Sequence, residues 1–217
     1  MSQGADALCL RVQLSRDRHP LVFGAARLED ASDGRGRIRD HTVRELKRLD
    51  AGARAGGAFR GQRLQTLQEV LERFRDRARP WLELDSGDAE LPERVVSALE
   101  IYDLVPHALV ASAAPEVLAA TRRLAADLRL AWLEQPRATA PEAAVREAAT
   151  VAPEACEVIG LDATLAARER VAAVRASGAE CYAWNVRAPD LAARLASWGV
   201  AGIVTDRPGP LRARLGR

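Results

Sequence analysis

The stretch of residues 181–208 constrains the fold of this chain more than any other part of the sequence. Residues 181–186 form a short apolar run rich in strand-forming side chains, and residues 200–204 form a second such run. Between them, Leu191 and Leu195 lie one helical turn apart, and a glycine opens the second run. A strand, a short helix and a second strand in so short a stretch predict a βαβ unit, whose crossover makes the two strands parallel.

The same alternation of strand and helix extends backward to Ala7. The predicted strands, apart from a brief extra one at residues 21–23, are residues 7–14, 81–84, 108–111, 128–133, 158–161, 181–186 and 200–204. Such alternation indicates a parallel sheet that is either closed as a barrel or open and doubly wound. Neither GxGxxG nor GxxxxGK(S/T) occurs, so nucleotide-binding open sheets lose support. We therefore predict an α/β fold, a TIM-type (β/α) barrel in a single domain over residues 1–217, one βα unit short of the usual eight.

The composition excludes several classes of protein. Of the 32 basic residues only Lys47 is a lysine, and 30 acidic residues leave a net charge of +2. Arginine binds phosphate well, but no basic stripe with interleaved aromatic residues appears, so we expect no nucleic-acid partner. No apolar run is long enough to span a membrane, and residues 1–10 lack a basic region followed by an apolar one. We therefore expect a cytoplasmic protein without a membrane span.

Three cysteines, Cys9, Cys156 and Cys181, lie far apart in apolar segments and show no CxxC spacing. We therefore expect each of them to be a small core residue of a protein from a reduced compartment. The three histidines are equally scattered and form no zinc-binding pattern.

Six blocks of the sequence occur in a characteristic order and spacing. They are GADALCLRVQLSRDRHPLVF, DGRGRIRDHTVRELKRLDAG, FRGQRLQTLQEVLE, WLELD, AWNV and GVAGIVTDRP. Together they span nearly all of residues 4–208 and resemble the glycerophosphodiester phosphodiesterase family. The resemblance implies a (β/α)8 barrel that uses Ca²⁺ or Mg²⁺ to hydrolyse glycerophosphodiesters to glycerol 3-phosphate and an alcohol.

This chain departs from the family pattern at the residues that carry the chemistry. The family opens with a strand bearing His-Arg-Gly and a helix bearing Pro-Glu-Asn-Thr, and both are absent because Met1 falls just before the second strand. The metal-binding Glu-x-Asp of that second strand corresponds here to Cys9 and Arg11. The His-Asp that ends the next short strand, with the histidine as general acid, corresponds to Gly24 and Ala25. We therefore predict no catalytic residue and a barrel that lacks its first βα unit.

Two family positions keep a functional residue. The Glu-x-Lys of the third family strand corresponds to Glu83 and Asp85, so Glu83 is the one metal ligand that the resemblance retains. Trp184 matches a tryptophan that lies near the substrate in the family. The resemblance thus implies that Trp184 is a substrate-binding residue. Arg11, which departs from the family pattern, is a second candidate, since in an inactive barrel it can receive a phosphate.

The altered residues make a poor metal site. Alternation along a strand places Cys9 and Arg11 on one face, and Glu83 and Asp85 on one face of their own strand. A hard divalent cation needs about six or more oxygen ligands. A single glutamate beside a guanidinium supplies too few of them, so we expect no metal cofactor. Arg11 either receives a phosphate or forms an ion pair with both acids, and the ion pair is favoured. Trp184 either packs at the barrel mouth or contacts a ligand, and packing is favoured.

These observations favour a family member that is catalytically inactive and at most binds a ligand, such as a phosphodiester small molecule, or a partner. General acid–base catalysis needs positioned proton donors and acceptors, and both family histidines are missing. His19 precedes Gly24 by five residues and is not expected to replace them. The alternative is a weakly active phosphoric diester hydrolase in which Glu83, Asp85 and water still hold a metal.

The missing first strand has two further interpretations. The true start of the protein could lie upstream of Met1, but the altered residues Cys9, Arg11 and Gly24 lie within the retained part, so this is not the whole explanation. Without that strand, the edges of the second and last family strands are exposed. We therefore expect either an open barrel or a homodimer that covers the gap.

Overall fold

The structure, a computed structural model, describes residues 3–85, 87–135 and 156–216. The strands among them are β1 (Ala7–Leu14), β2 (Pro20–Val22), β3 (Gln65–Thr66), β4 (Arg79–Leu84), β5 (Leu109–Ser112), β6 (Arg129–Leu133), β7 (Val158–Asp162), β8 (Glu180–Trp184) and β9 (Gly202–Ile203). The helices are α1 (Leu28–Ala31), α2 (Val43–Leu46), α3 (Leu67–Phe74), α4 (Leu91–Ile101), α5 (Pro115–Leu124), α6 (Arg168–Ala176), α7 (Pro189–Ser197) and α8 (Pro208–Arg214). No helix in these ranges is both long enough and apolar enough to cross a bilayer.

The strands form one sheet in the order β3-β2-β1-β4-β5-β6-β7-β8-β9. Seven of them, β1 and β4 to β9, run parallel, each paired with its neighbour along this order. β2 pairs antiparallel with the carboxyl end of β1 and β3 pairs antiparallel with β2. The predicted series of seven parallel strands, and with it the prediction of a barrel-type α/β fold, is confirmed.

The sheet does not close on itself within the described residues. β9 pairs with β8 alone, and residues 7–10 of β1 pair with β4 on one side but with no strand on the other. A cleft of about 450 Å³ separates the two edges. The unclosed sheet of the described residues agrees with the predicted open barrel. Cys9, predicted as a core residue, is exposed because it lines this cleft, whereas Cys156 and Cys181 are buried.

Both faces of the sheet are apolar, which explains the continuous apolar runs in the sequence. The inward face carries a cluster that is buried inside the barrel: Trp81, Leu109, Ala111, Ala131, Leu133 and Val158. The alternate residues of the same strands pack under the helices, among them Leu82, Leu84, Val110, Leu130, Ile159 and Leu161. β4 to β7 are thus packed on both faces, which supports the side chains at their carboxyl ends.

Helix starts follow the sequence signals closely. Thr42 and Thr66 cap α2 and α3, each accepting from the backbone N–H three residues on at 3.3 Å. The capping boxes predicted at these two positions are therefore confirmed. α3 ends at Phe74, before the predicted end near Ala78, because the chain turns there toward β4. The helix predicted for residues 141–150 lies outside the described residues.

We expect the side chains of β4 that face the helices to contribute strongly to the stability of the fold. Leu82 is completely buried, so Leu82→Ala should lower the free energy of unfolding by about 2–5 kcal/mol through lost burial and a cavity. Ile101→Ala, at a side chain that is 68% exposed, should change it by less than about 0.5 kcal/mol. Urea unfolding measures both, and equal losses would contradict this account of the core.

Candidate functional site

The carboxyl ends of the parallel strands meet at one edge of the sheet, which is the usual place for a site in this type of fold. β1 and β4 are aligned so that Cys9 lies opposite Trp81 and Arg11 lies opposite Glu83. Asp85 directly follows β4 on the same face as Glu83. The structure therefore brings together Arg11, Glu83 and Asp85, as predicted from strand alternation.

Arg11 and Asp85 form a bidentate ion pair across the two strands. Arg11 Nη2 donates to Oδ1 and Oδ2 of Asp85 at 2.7 and 2.9 Å, and Nε donates to the same oxygens at 3.2 and 3.1 Å. Nη1 lies 3.5 Å from the carbonyl oxygen of Gly24. Burial alone would lower the pKa of Arg11, but the hydrogen bonds and charge of Asp85 outweigh it and raise that pKa. The guanidinium is therefore a permanent cation at the barrel mouth.

Glu83 lies in a different environment from Asp85. Burial raises the pKa of the Glu83 carboxyl, and the nearby Asp85 raises it further, while Arg11 opposes both effects. The strand register places Glu83 beside Arg11, but Arg11 directs its short hydrogen bonds to Asp85. The guanidinium of Arg11 already pairs with Asp85, so it does not fully offset the effect of burial on Glu83. Ionisation of Glu83 is therefore disfavoured.

The residues present do not fit a divalent cation. Within residues 3–85, 87–135 and 156–216, no group of three or more His, Cys, Asp or Glu side chains is placed to hold a metal ion. Cys9 is reachable through the cleft, yet the surrounding protein atoms desolvate its thiol, and together with the charge of Glu83 they raise its pKa to about 12, so it supplies no thiolate. Calcium and magnesium require several oxygen ligands. Glu83 as a metal ligand stays a prediction that this geometry does not favour.

Trp184 lies at the end of β8 beside the apolar interior of the barrel. It packs against the inward cluster together with Tyr182 and Val204, and the rings of Trp81 and Tyr182 are 5.3 Å apart. The indole Nε1 of Trp184 is buried and has no hydrogen-bond partner among the described residues. These contacts agree with simple packing, while substrate binding by Trp184 and Arg11 stays a prediction.

A second polar group at this end of the barrel was missed from the sequence. Asp162, at the end of β7, is buried and accepts from Asn185 Nδ2 at 2.9 Å and from the hydroxyl of Thr164 at 2.6 Å. Burial alone would raise the pKa of Asp162, but these hydrogen bonds lower it overall. Asn185 has a φ of 60°, so Asp162 stabilises a left-handed turn next to Trp184. The sequence did offer a signal for this group, since Asp162 is an acidic residue directly after the predicted strand at residues 158–161.

The hydrogen bonds of the histidines in the described residues do not involve Arg11, Glu83 or Asp85. The backbone N–H of His19 donates to Ser15 Oγ at 3.0 Å in the turn between β1 and β2, and the ring of His41 is hydrogen bonded to the carbonyl oxygen of Arg35 at 2.9 Å. His107 ends a short helical turn before β5, at the opposite end of the barrel from the site. That His19 does not replace the missing family histidines stays a prediction.

Residues 1–210 match the model of the glycerophosphoryl diester phosphodiesterase family. The chain belongs to this family. A glycerophosphodiester phosphodiesterase from Caldanaerobacter subterraneus is 30% identical over 217 residues, covering 97% of this chain and 86% of the relative. A putative glycerophosphodiester phosphodiesterase of Bacillus subtilis is 28% identical, covering 96% and 85%.

Solved family barrels show the same fold. A phosphodiesterase from Oleispira antarctica, solved in complex with the product sn-glycerol-3-phosphate, superposes with a TM-score of 0.87 at 22% identity over 100% of this chain and 87% of its own. A putative glycerophosphoryl diester phosphodiesterase from Silicibacter pomeroyi gives 0.81 at 23% identity over 99% and 84%. The family barrel is therefore established for this chain.

The ion pair should be energetically coupled. Arg11→Ala and Asp85→Ala should each lower the free energy of unfolding by about 1–2 kcal/mol. This loss lies between those typical of surface and of buried ion pairs, because the two side chains are 31% and 40% exposed. The double variant should lose less than the sum by at least about 0.5 kcal/mol in urea unfolding. The same cycle on the more exposed Arg214–Asp190 pair should show a coupling below about 0.5 kcal/mol. Equal coupling in both cycles would contradict the assignment.

Glu83 should make stability depend on pH. The pKa of Glu83 in the folded protein lies above the ordinary 4.5. The protonated carboxyl is therefore the form that the fold favours: the free energy of unfolding is highest below pH 4.5 and falls as the pH rises through the folded pKa. Glu83→Gln should therefore stabilise the protein at about pH 7.5 and change little at about pH 3.5, measured by urea unfolding. The exposed Glu93 is the control, since Glu93→Gln should change stability by less than about 0.5 kcal/mol. An equal gain at both pH values would refute this interpretation of Glu83.

Proposed function

We propose that this chain is a catalytically inactive member of the family, whose barrel binds a phosphodiester small molecule without hydrolysing it. The observation that carries the proposal is the bidentate Arg11–Asp85 pair, with Glu83 beside it. A guanidinium within a few ångströms repels a divalent cation, and it neutralises one of the two carboxylates that a cation would need. Metal-assisted stabilisation of a departing alkoxide is thereby lost.

The proton-transfer steps support the same proposal. Hydrolysis needs a base for the attacking water and an acid for the leaving group, both within hydrogen-bond reach of the reacting atoms. The raised pKa of Glu83 suits one proton donor, but Asp85 is engaged by Arg11, and none of the histidine hydrogen bonds described above involves Glu83. One isolated carboxyl supplies at most half of the acid–base pair.

The proposed ligand follows from the groups at the barrel mouth. Arg11 is a permanent cation with a planar fork of donors suited to phosphate oxygens. Trp184 belongs to the apolar cluster inside the barrel and is proposed to contact the apolar part of the ligand. A phosphate that binds to Arg11 must displace Asp85 at least in part, so the ligand competes with the ion pair. We further propose a cytoplasmic location, supported by the three unpaired cysteines.

A weakly active hydrolase is the second candidate. The name of the Caldanaerobacter relative, a glycerophosphodiester phosphodiesterase at 30% identity, favours it. In this candidate Asp85 leaves Arg11 and joins Glu83 around a metal ion. It differs from the first candidate in requiring both turnover and metal binding.

The decisive experiment is turnover with both metals. Purified protein should release no glycerol 3-phosphate from glycerophosphocholine above the blank with millimolar Ca²⁺ or Mg²⁺, because neither metal ligands nor acid–base partners are assembled. The Caldanaerobacter relative tests the assay conditions. Release that is lost in Glu83→Ala would establish the weak hydrolase and refute the inactive barrel.

Melting curves test the metal site separately. Millimolar Ca²⁺ should leave the Tm of the wild type unchanged, since only a ligand that binds the folded state raises it. Arg11→Asp replaces the cation with a third carboxylate next to Glu83 and Asp85, so its Tm should rise with Ca²⁺. Arg214→Asp provides the matched control on the exposed ion pair with Asp190. A Tm of the wild type that rises with Ca²⁺ would contradict the proposal.

A further inference from the structure

The loop of residues 51–63, between α2 and β3, combines an exposed aromatic side chain with arginines. We propose that this loop docks the protein on an anionic lipid bilayer, with Phe59 among the lipid headgroups and Arg54 and Arg60 against the lipid phosphates. Among the described residues, the hydrogen bonds between Arg11 and Asp85 do not involve this loop. The inference is therefore independent of whether the barrel hydrolyses a phosphodiester.

The loop is compact, and its two ends meet. Asp50 and Arg63, which flank it and end it, form an isolated antiparallel bridge. Gly52 is buried against the backbone of Phe59, and a Cβ at position 52 would lie 1.5 Å from the carbonyl oxygen of Phe59. Loops of this length with closed ends have a defined shape and are frequently functional. The backbone at Phe59 is therefore held in place.

Phe59 is presented to solvent by this fixed backbone. It is 57% exposed, and every residue of the run 54–63 is exposed. The ends of the loop are anchored, since Leu64 is buried in an apolar cluster and Ala51 packs against the same cluster. A benzyl side chain that is held in water by an anchored loop gains free energy when it enters the headgroup region of a bilayer.

The charges around Phe59 suit a surface of phosphate groups. Residues 51–63 contain three arginines and no acidic residue. In the described part of the chain, Arg54 and Arg60 form no ion pair. The carboxylate of Asp50 lies at the base of the loop, where it accepts the backbone N–H of Gly52 at 2.8 Å. The two guanidinium groups are therefore available to an external anion.

The positive charge of the chain is concentrated in the segment that carries the loop. Residues 24–66 contain ten basic and six acidic residues, whereas the rest of the chain contains 22 basic and 24 acidic ones. An anionic surface therefore attracts this segment and repels the remainder, which orients the molecule. Each arginine close to an anionic membrane strengthens binding about fivefold.

A lipid surface suits the loop better than a nucleic acid does. Single-stranded nucleic acids bind in basic grooves in which several aromatic side chains stack on the bases. The exposed large apolar residues of the described chain are Phe59, Ile101 and Leu124, which lie on separate elements. A bilayer requires no groove, and one apolar side chain with neighbouring cations gives weak, reversible binding.

Sedimentation with vesicles tests the proposal on the full chain. At low salt, binding to vesicles of equal parts phosphatidylglycerol and phosphatidylcholine should exceed binding to phosphatidylcholine vesicles at least about tenfold. Added salt should weaken the binding, because it screens the charges. Equal binding to both kinds of vesicle, or binding to neither, would overturn the proposal.

Substitutions in the loop test the residues themselves. Phe59→Ala should weaken the vesicle binding at least about threefold, whereas Phe59→Trp should retain it, because tryptophan also favours the interface. The double variant Arg54→Glu, Arg60→Glu should weaken it at least about tenfold. Because the three residues are exposed, the Tm of each variant should stay within about 2 °C of the wild type.

Matched controls separate the loop from overall charge and exposure. Ile101→Ala, at a residue that is 68% exposed, and the double variant Arg123→Glu, Arg168→Glu, at exposed arginines of α5 and α6, should each retain at least about half of the binding. Losses equal to those of the loop variants would overturn the proposal. A gel shift of a single-stranded oligonucleotide in the absence of vesicle binding would assign the loop to nucleic acid and would also overturn it.

Discussion

The bidentate contact between Arg11 and Asp85 determines what the mouth of this barrel can hold. It joins the two neighbouring strands that carry the site and satisfies one carboxylate with a permanent cation. Glu83 is left in a largely buried position where its ionisation is disfavoured. In the described part of the chain, the carboxylate of Asp85 is paired with Arg11 rather than grouped with other acidic side chains, which disfavours a divalent cation at this end of the barrel.

The open side of the barrel is the second feature that shapes the molecule. β2 pairs with the carboxyl end of β1, near the site, and in the described part of the chain no strand lies on this side of residues 7–10. The site end is therefore supported on both sides, while the opposite end exposes an apolar interior at Cys9. This division explains how a sheet with an open edge still keeps Arg11 and its neighbours in register.

The sequence predicted what depends on local periodicity and failed where distant segments meet. The alternation of side chains along β1 and β4 predicted that Arg11 and Asp85 can meet on one face of the sheet. The capping residue Thr66 predicted the start of α3. The exposure of Cys9 was not predictable, because an inward residue in an apolar run is buried only if the barrel closes. The contact between Asp162 and Asn185 joins two loops whose approach depends on the packing of β7 and β8.

The Arg11–Asp85 pair also constrains which substitutions the two positions tolerate. Each residue compensates the charge of the other, so an acidic residue at position 11 alone would leave three carboxylates together without a cation. A basic residue at position 85 alone would set two cations side by side. Either single substitution is expected to destabilise the protein. The two positions are therefore coupled, and a change of charge at one is tolerated best together with the opposite change at the other.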